Sequence, residues 1–121
     1  MKRDPVLYLD DMLTYAREAH AFVRGMTADA FIGDTRTQYA VAYALHVVGE
    51  AARKVPAETC QRYPQVPWQE IVGMRNRLAH DYLGTHPGII FATAQEFAPE
   101  LIAALQAIIA DLGESGEGPA S

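Results

Sequence analysis

The stretch "DTRTQYAVAYALHVVGEAARKVP", residues 34 to 56, constrains the chain most. It carries apolar residues in every turn of a helix, opens on an aspartate that can cap a helix and closes on a proline that cannot continue one. A helix apolar on most sides has to be surrounded, so the rest of the chain must supply helices to cover it. The remaining segments have the required pattern. Asp4 followed by Pro5 marks a helix start, and Leu9, Leu13, Ala16, His20 and Val23 recur at spacings of three and four before Gly25 offers a stop. A connection through Thr27 to Gly33 leads to the Asp34 cap. "PAETCQRYP" has room for one or two turns between its prolines. Pro67 starts a further helix reaching about Tyr82, and "HPGIIFATAQEFAPELIAALQAIIADL" predicts one more, broken or kinked near Pro99. Nothing alternates over strand length. The expectation is all-α, four or five helices in a bundle, with a single domain over residues 1–112 and a disordered tail over 113–121.

Composition narrows the functional classes. At 121 residues the chain fits one core, and its single cysteine, Cys60, excludes an internal disulfide. No basic-then-apolar leader opens it, and the apolar runs "AVAYALHVVG" and "ELIAALQAIIADL" are shorter than a membrane span, so a cytoplasmic protein with no membrane segment is expected. A net charge of −5 argues against a generally basic nucleic-acid coat, yet Arg53 to His80 is +3 while the remainder is −8. Any phosphate-binding chemistry belongs to that segment.

Within it, "GMRNRLAHDYLG" poses a problem. On a helical wheel of about 100° per residue, Ile71, Val72, Leu78, Ala79, Tyr82 and Leu83 all fall within roughly 80° of Arg75. A buried, unpaired arginine is far costlier than the packing it gains. Either a carboxylate such as Glu50 or Asp81 meets Arg75, or this face opens onto a cleft or a second subunit. Asn76 and His80 lie on one edge of the same sector. A guanidinium that holds phosphate and an imidazole that exchanges a proton near neutral pH suffice in principle for RNA cleavage, because the 2′-hydroxyl is an internal nucleophile. Such chemistry needs no metal or cofactor. Read separately, Asn76 is a helix-surface amide and Tyr82 a half-buried core aromatic near a helix end. His20, His46 and His86 are packed or surface histidines. His46 and Glu50 stand at i, i+4 with no third metal ligand in view, and Gly49 marks a close helix approach.

Taken together, "DTRTQYAVAYALHVVGEAARKVP", "YPQVPWQEIVGMRNRLAHDYLG" and the closing helical segment resemble the HepT-like branch of the HEPN superfamily, over about Asp4 to Leu112. The resemblance implies a HEPN-type bundle that dimerises with itself, and an endoribonuclease toxin whose Arg-x4-His-x-Tyr motif is Arg75, His80 and Tyr82, with Asn76 the polar residue after the arginine. Arg75 and His80 would be the catalytic pair at a cleft between two copies, with Asn76 beside them and RNA as substrate. The implied partner is an MntA-like nucleotidyltransferase antitoxin that transfers AMP onto Tyr82. The alternative is a non-catalytic helical module that binds and positions such a nucleotidyltransferase. The stretch "LGTHPG" follows the family pattern least, and no role is assigned to Thr85 or His86.

Overall fold

A computed structural model describes residues 3–114, and within them the fold is built from helices. Helix α1, Pro5–Phe22, begins as expected: the Asp4 carboxylate accepts from the Val6 amide at 2.9 Å and Pro5 occupies the first turn. Its buried stripe is Leu9, Met12, Ala16 and Ala19, with Val23 just beyond, so Leu13 and His20 are only half-buried. Gly25 takes φ +75°, the left-handed turn that ends the helix region. The connection from Thr27 to Gly33 holds a helical turn that the sequence reading missed, α2, Ala28–Ile32, capped by Thr27 and anchored by the buried Phe31.

Helix α3, Thr35–Lys54, is capped by Asp34 and stops before Pro56. Its buried polar residue, Gln38, donates to the carbonyls of Phe31 and Ile32 at 2.9 and 2.8 Å, which locks α2 onto α3. The proline-bracketed stretch holds α4, Ala57–Arg62, and Pro67 precedes α5, Trp68–Asp81. The last helical stretch divides into α6, Pro87–Ala92, a π-turn over Thr93–Phe97 and α7, Ala98–Glu114. The wide turn ends two residues before Pro99. A proline has no amide hydrogen to give the carbonyl four residues back, here Gln95, and its ring crowds that carbonyl; the wider turn relieves both. Helix α7 extends two residues past the expected boundary at Leu112, and the rest of the anticipated tail lies outside the described residues.

Packing runs α7 on α1, α1 on α3 and α3 on α5, while α6 folds back over α2 and α3. Four long helical stretches thus make the bundle, with α2 and α4 as single turns in its connections. One part of the core joins Leu9, Met12, Val48, Ile71 and Leu105; the other joins Phe31, Val41, Leu45, Leu78 and Phe91. The stretch Pro87–Glu114 spans 28 residues and, with an 18-residue window of mean hydropathy 1.2, is long and apolar enough to cross a membrane. In the bundle its Leu101, Leu105, Ile108 and Leu112 belong to the core around α1. Helix α5 stands at the edge, with α3 as its chief neighbour, so its far side is left open.

Candidate active site

The bundle splits the apolar stripe of α5 along its length. On one side of Arg75, Ile71 and Leu78 are buried and Tyr82 is half-buried against α3; on the other, Val72 is half-buried and Ala79 and Leu83 are exposed, Leu83 at 95%. Asn76 and His80 are exposed on that open side. Arg75 therefore sits on the seam between core and surface, its side chain 22% exposed.

Both answers to the arginine problem bear on this seam. A carboxylate does meet Arg75 within its own subunit: Nε lies 2.8 Å from Oε2 of Glu50 on α3. Both atoms are shielded from solvent, and no hydrogen bond joins them, so the contact is a charge pair rather than an aligned N–H···O bond. Of the two alternatives open for Arg75, the carboxylate one is realised within the subunit, with Glu50 as the acid. Asp81, the other acid considered, accepts from the Gly84 amide at 3.1 Å and helps shape the end of α5. The outer edge of the guanidinium turns toward Asn76, with Nη1 donating to Oδ1 at 2.9 Å, so Asn76 orients the arginine as well as facing solvent.

Glycine makes this approach possible. A Cβ on Gly49 would lie 2.2 Å from Arg75 Cβ and 3.1 Å from the Ile71 carbonyl oxygen, far inside van der Waals contact. The absent side chain lets α3 bring Glu50 against Arg75. Glu50 also accepts from Arg53 at 2.6 Å and has the Lys54 ammonium at 3.9 Å. The Arg53 hydrogen bond holds its carboxyl below the ordinary range against the opposing cost of desolvation, and the positive charges of Arg53, Arg75 and Lys54 add to the effect. Glu50 is thus engaged by cations. His46, one turn before it, is half-buried, and no cluster of three metal-ligating side chains occurs among the described residues.

Tyr82 follows the last residue of α5. Its ring packs 5.8 Å from the ring of Tyr39 on α3, centroid to centroid, at a tilt of 54°. Desolvation, with a smaller contribution from Tyr39, pushes its phenol above the usual range. The structure brings Arg75 and Asn76 into contact and places His80 along the same open side. The sequence alone did not single out Tyr39 or Tyr43, which are 59% and 63% exposed on α3. Their spacing of four, on the same side as Glu50, was the available signal.

The other histidines have structural places. His20 Nδ1 lies 3.1 Å from the Ala94 carbonyl, and His86 caps α6 by accepting from the Gly88 amide at 2.9 Å. Thr85 is buried and donates to the Asp81 carbonyl at 2.9 Å. The stretch "LGTHPG" is accordingly a helix stop followed by a helix start.

With this geometry in place, comparison with known proteins is specific. Residues 12–108 match the family described as ribonuclease HepT-like. "Putative RNase MJ0125" of Methanocaldococcus jannaschii is 36% identical over 113 residues, covering 93% of this chain and 97% of that protein. "Probable ribonuclease HepT" of Thermococcus cleftensis is 34% identical, covering 84% and 92%, and "Putative RNase TTE0752" of Caldanaerobacter subterraneus is 33% identical, covering 82% and 88%. No solved structure matches the chain. An all-α bundle whose motif helix stands at an open edge, and a family match that spans the whole of that bundle's centre, lead to one conclusion: the chain belongs to the ribonuclease HepT-like family.

Proposed function

We propose that this endoribonuclease-family chain is the toxin of a toxin–antitoxin pair and cuts RNA without a metal ion, using Arg75 and His80. The observation that carries the reading is the seam on α5: an arginine held at the boundary of core and surface, with Asn76 and His80 on the exposed side, inside a family match over residues 12–108. In the step envisaged, His80 takes the proton of a 2′-hydroxyl, whose oxygen attacks the adjacent phosphorus. The P–O5′ bond breaks and a protonated group returns a proton to the leaving oxygen, giving a 2′,3′-cyclic phosphate and a 5′-hydroxyl. The guanidinium of Arg75 stabilises the charged phosphorane. One subunit offers one histidine on this side, and two-fold pairing of the exposed α5 strip, with Leu83 at 95% exposure, would supply the second and cover apolar surface. In this reading the cytoplasmic partner is an MntA-like nucleotidyltransferase that adds AMP to Tyr82. The new phosphodiester would place negative charge on the face that Arg75 shares, where it competes with RNA phosphate.

Expression without the partner is expected to arrest growth, and purified protein to cleave RNA in the presence of chelator. Arg75→Ala and His80→Ala should each abolish both effects, and unchanged cleavage in the two variants would remove the assigned site. Co-production with the nucleotidyltransferase should add an adenylyl-sized mass that Tyr82→Phe loses. The Arg75–Glu50 pair favours a second reading, a non-catalytic module that positions the nucleotidyltransferase, with Arg75 as a structural ion-pair residue. A stable complex with that enzyme combined with no cleavage of any RNA pool would select it.

A further inference from the structure

Seven large apolar side chains are exposed among the described residues, and two of them, Tyr39 and Tyr43, stand one turn apart on α3, both more than half exposed. We propose that they form a stacking platform for two bases of single-stranded RNA, and so position the strand that the site cuts; the inference rests on the ribonuclease reading above. Three observations support it. First, both rings are held in place by other aromatics and are still more than half exposed. Tyr39 leans on Tyr82 at 5.8 Å, and Tyr43 meets the Tyr15 ring edge-on at 6.4 Å. A supported, exposed ring loses little freedom when a base stacks on it.

Second, the platform runs beside the motif. Gly49 abuts Arg75 and Ile71 while Tyr39 abuts Tyr82, so α3 and α5 are antiparallel and Tyr43 falls at about the axial level of Ala79 and His80. Four residues along a helix separate the two tyrosines by about 6 Å, a step that successive bases of an extended strand can match. Third, the charge suits a polyanion. Arg36 stands exposed one turn before Tyr39, and Arg53, Lys54 and Arg75 lie beyond Tyr43. These cations outnumber Asp34 and Glu50 at the same ends, in a chain whose net charge is −5. A second copy of the chain would instead need a dry apolar patch, and this strip is two rings flanked by charge at both ends.

The test uses full-length His80→Ala protein, which keeps the RNA intact, and a labelled single-stranded hexaadenylate or hexauridylate. Tyr39→Leu and Tyr43→Leu should each weaken binding about five- to hundredfold, while Tyr39→Phe and Tyr43→Phe, which retain the ring, should restore it. The same oligonucleotide in a duplex should bind all these proteins alike. Melting temperature and sedimentation are expected to stay at their starting values. Equal binding by the leucine variants would overturn the platform while leaving cleavage through Arg75 and His80 untouched. A changed oligomeric state with unchanged RNA binding would assign the strip to a second copy of the chain. If His80→Ala protein binds no RNA and the native chain cuts none, the ribonuclease reading fails and the platform fails with it.

Discussion

Gly49→Ala is the sharpest test of how this fold presents its arginine. The new methyl would lie 2.2 Å from Arg75 Cβ, 3.0 Å from its Cγ and 3.1 Å from the Ile71 carbonyl oxygen. Carbon atoms in contact prefer about 3.5–4.0 Å, so α3 and α5 must part locally by about 1.5 Å. None of the three atoms is the free end of a flexible side chain. Overpacking of this kind costs about 1–3 kcal/mol, occasionally more, against which alanine recovers about 1 kcal/mol of helix propensity. Because the 2.2 Å contact falls on a Cβ that cannot rotate away, the upper part of the overpacking range, about 2–3 kcal/mol, applies. The net loss of about 1–2 kcal/mol corresponds, for a chain of this length, to a fall of about 4–8 °C in melting temperature. The shift acts directly on the backbone that carries Arg75, and a displacement near 1 Å can cost about a hundredfold in rate. On the ribonuclease reading proposed above, cleavage should therefore fall further than stability alone explains at a temperature where the variant is fully folded. Gly73→Ala is the control. On α5 a Cβ there meets nothing within 4 Å, so melting temperature should hold or rise. A Gly49→Ala protein that melts at or above the native temperature would refute the close approach as the device that seats Arg75.

Further outcomes follow from the same contacts. The Glu50 carboxyl is held below its ordinary value by Arg53, so it adds stability above about pH 4.5 that disappears as pH falls through its lowered value. Glu50→Gln should flatten the acid limb of a melting-temperature against pH curve, and an unchanged limb would contradict the pairing. Gln38→Leu removes the donor that Phe31 and Ile32 share, and should cost about 1–3 kcal/mol by chemical denaturation with the slope of the transition retained. Tyr63→Phe deletes the 2.6 Å hydrogen bond to Asp111 and should cost about 0.5–1.5 kcal/mol by the same measurement, so a variant as stable as the parent would show that bond to be dispensable.

What the sequence made legible is what is encoded locally. Asp4, Asp34, Pro56 and Pro67 mark helix ends by capping or by lacking an amide hydrogen, and all four ends lie where those residues put them. Phe31 was not legible as a core residue because α2 is a single turn, too short for periodicity, and is held by a glutamine from another helix. The kink expected at Pro99 appears as a π-turn just ahead of it, since the crowding acts on the carbonyl of an earlier residue. In the site, the wheel correctly put Arg75 among apolar neighbours, but a wheel has no second helix. It could not divide those neighbours into Leu78, which α3 covers, and Leu83, which nothing covers among the described residues. Nor could it choose between Glu50 and Asp81, because Asp81 is nearer in sequence and only the approach at Gly49 brings Glu50 closer in space.

The Glu50 contact does not by itself silence Arg75. One carboxylate is shared by Arg53 at 2.6 Å, Arg75 at 2.8 Å and Lys54 at 3.9 Å, so the cluster keeps an excess of positive charge. Its strongest hydrogen-bonded partner is the exposed Arg53, whose guanidinium is stabilised in the charged form by the same bond. Arg75 meets Glu50 only through Nε, while Nη1 is turned to Asn76 on the exposed side. An arginine gripped by one nitrogen, with its outer edge aimed along the surface, has given up freedom of rotation but not its charge. On the ribonuclease reading that arrangement suits phosphate binding in a fixed pose, because the side-chain entropy of ordering the arginine, about 2 kcal/mol, is already spent in the folded subunit. It also separates the two readings of the site. If Glu50 orients Arg75 for phosphate, Glu50→Ala should leave the charge in place yet lower cleavage by loosening the guanidinium. If Arg75 is only a structural ion-pair residue of a non-catalytic module, the parent cuts no RNA and the same variant should lose stability alone.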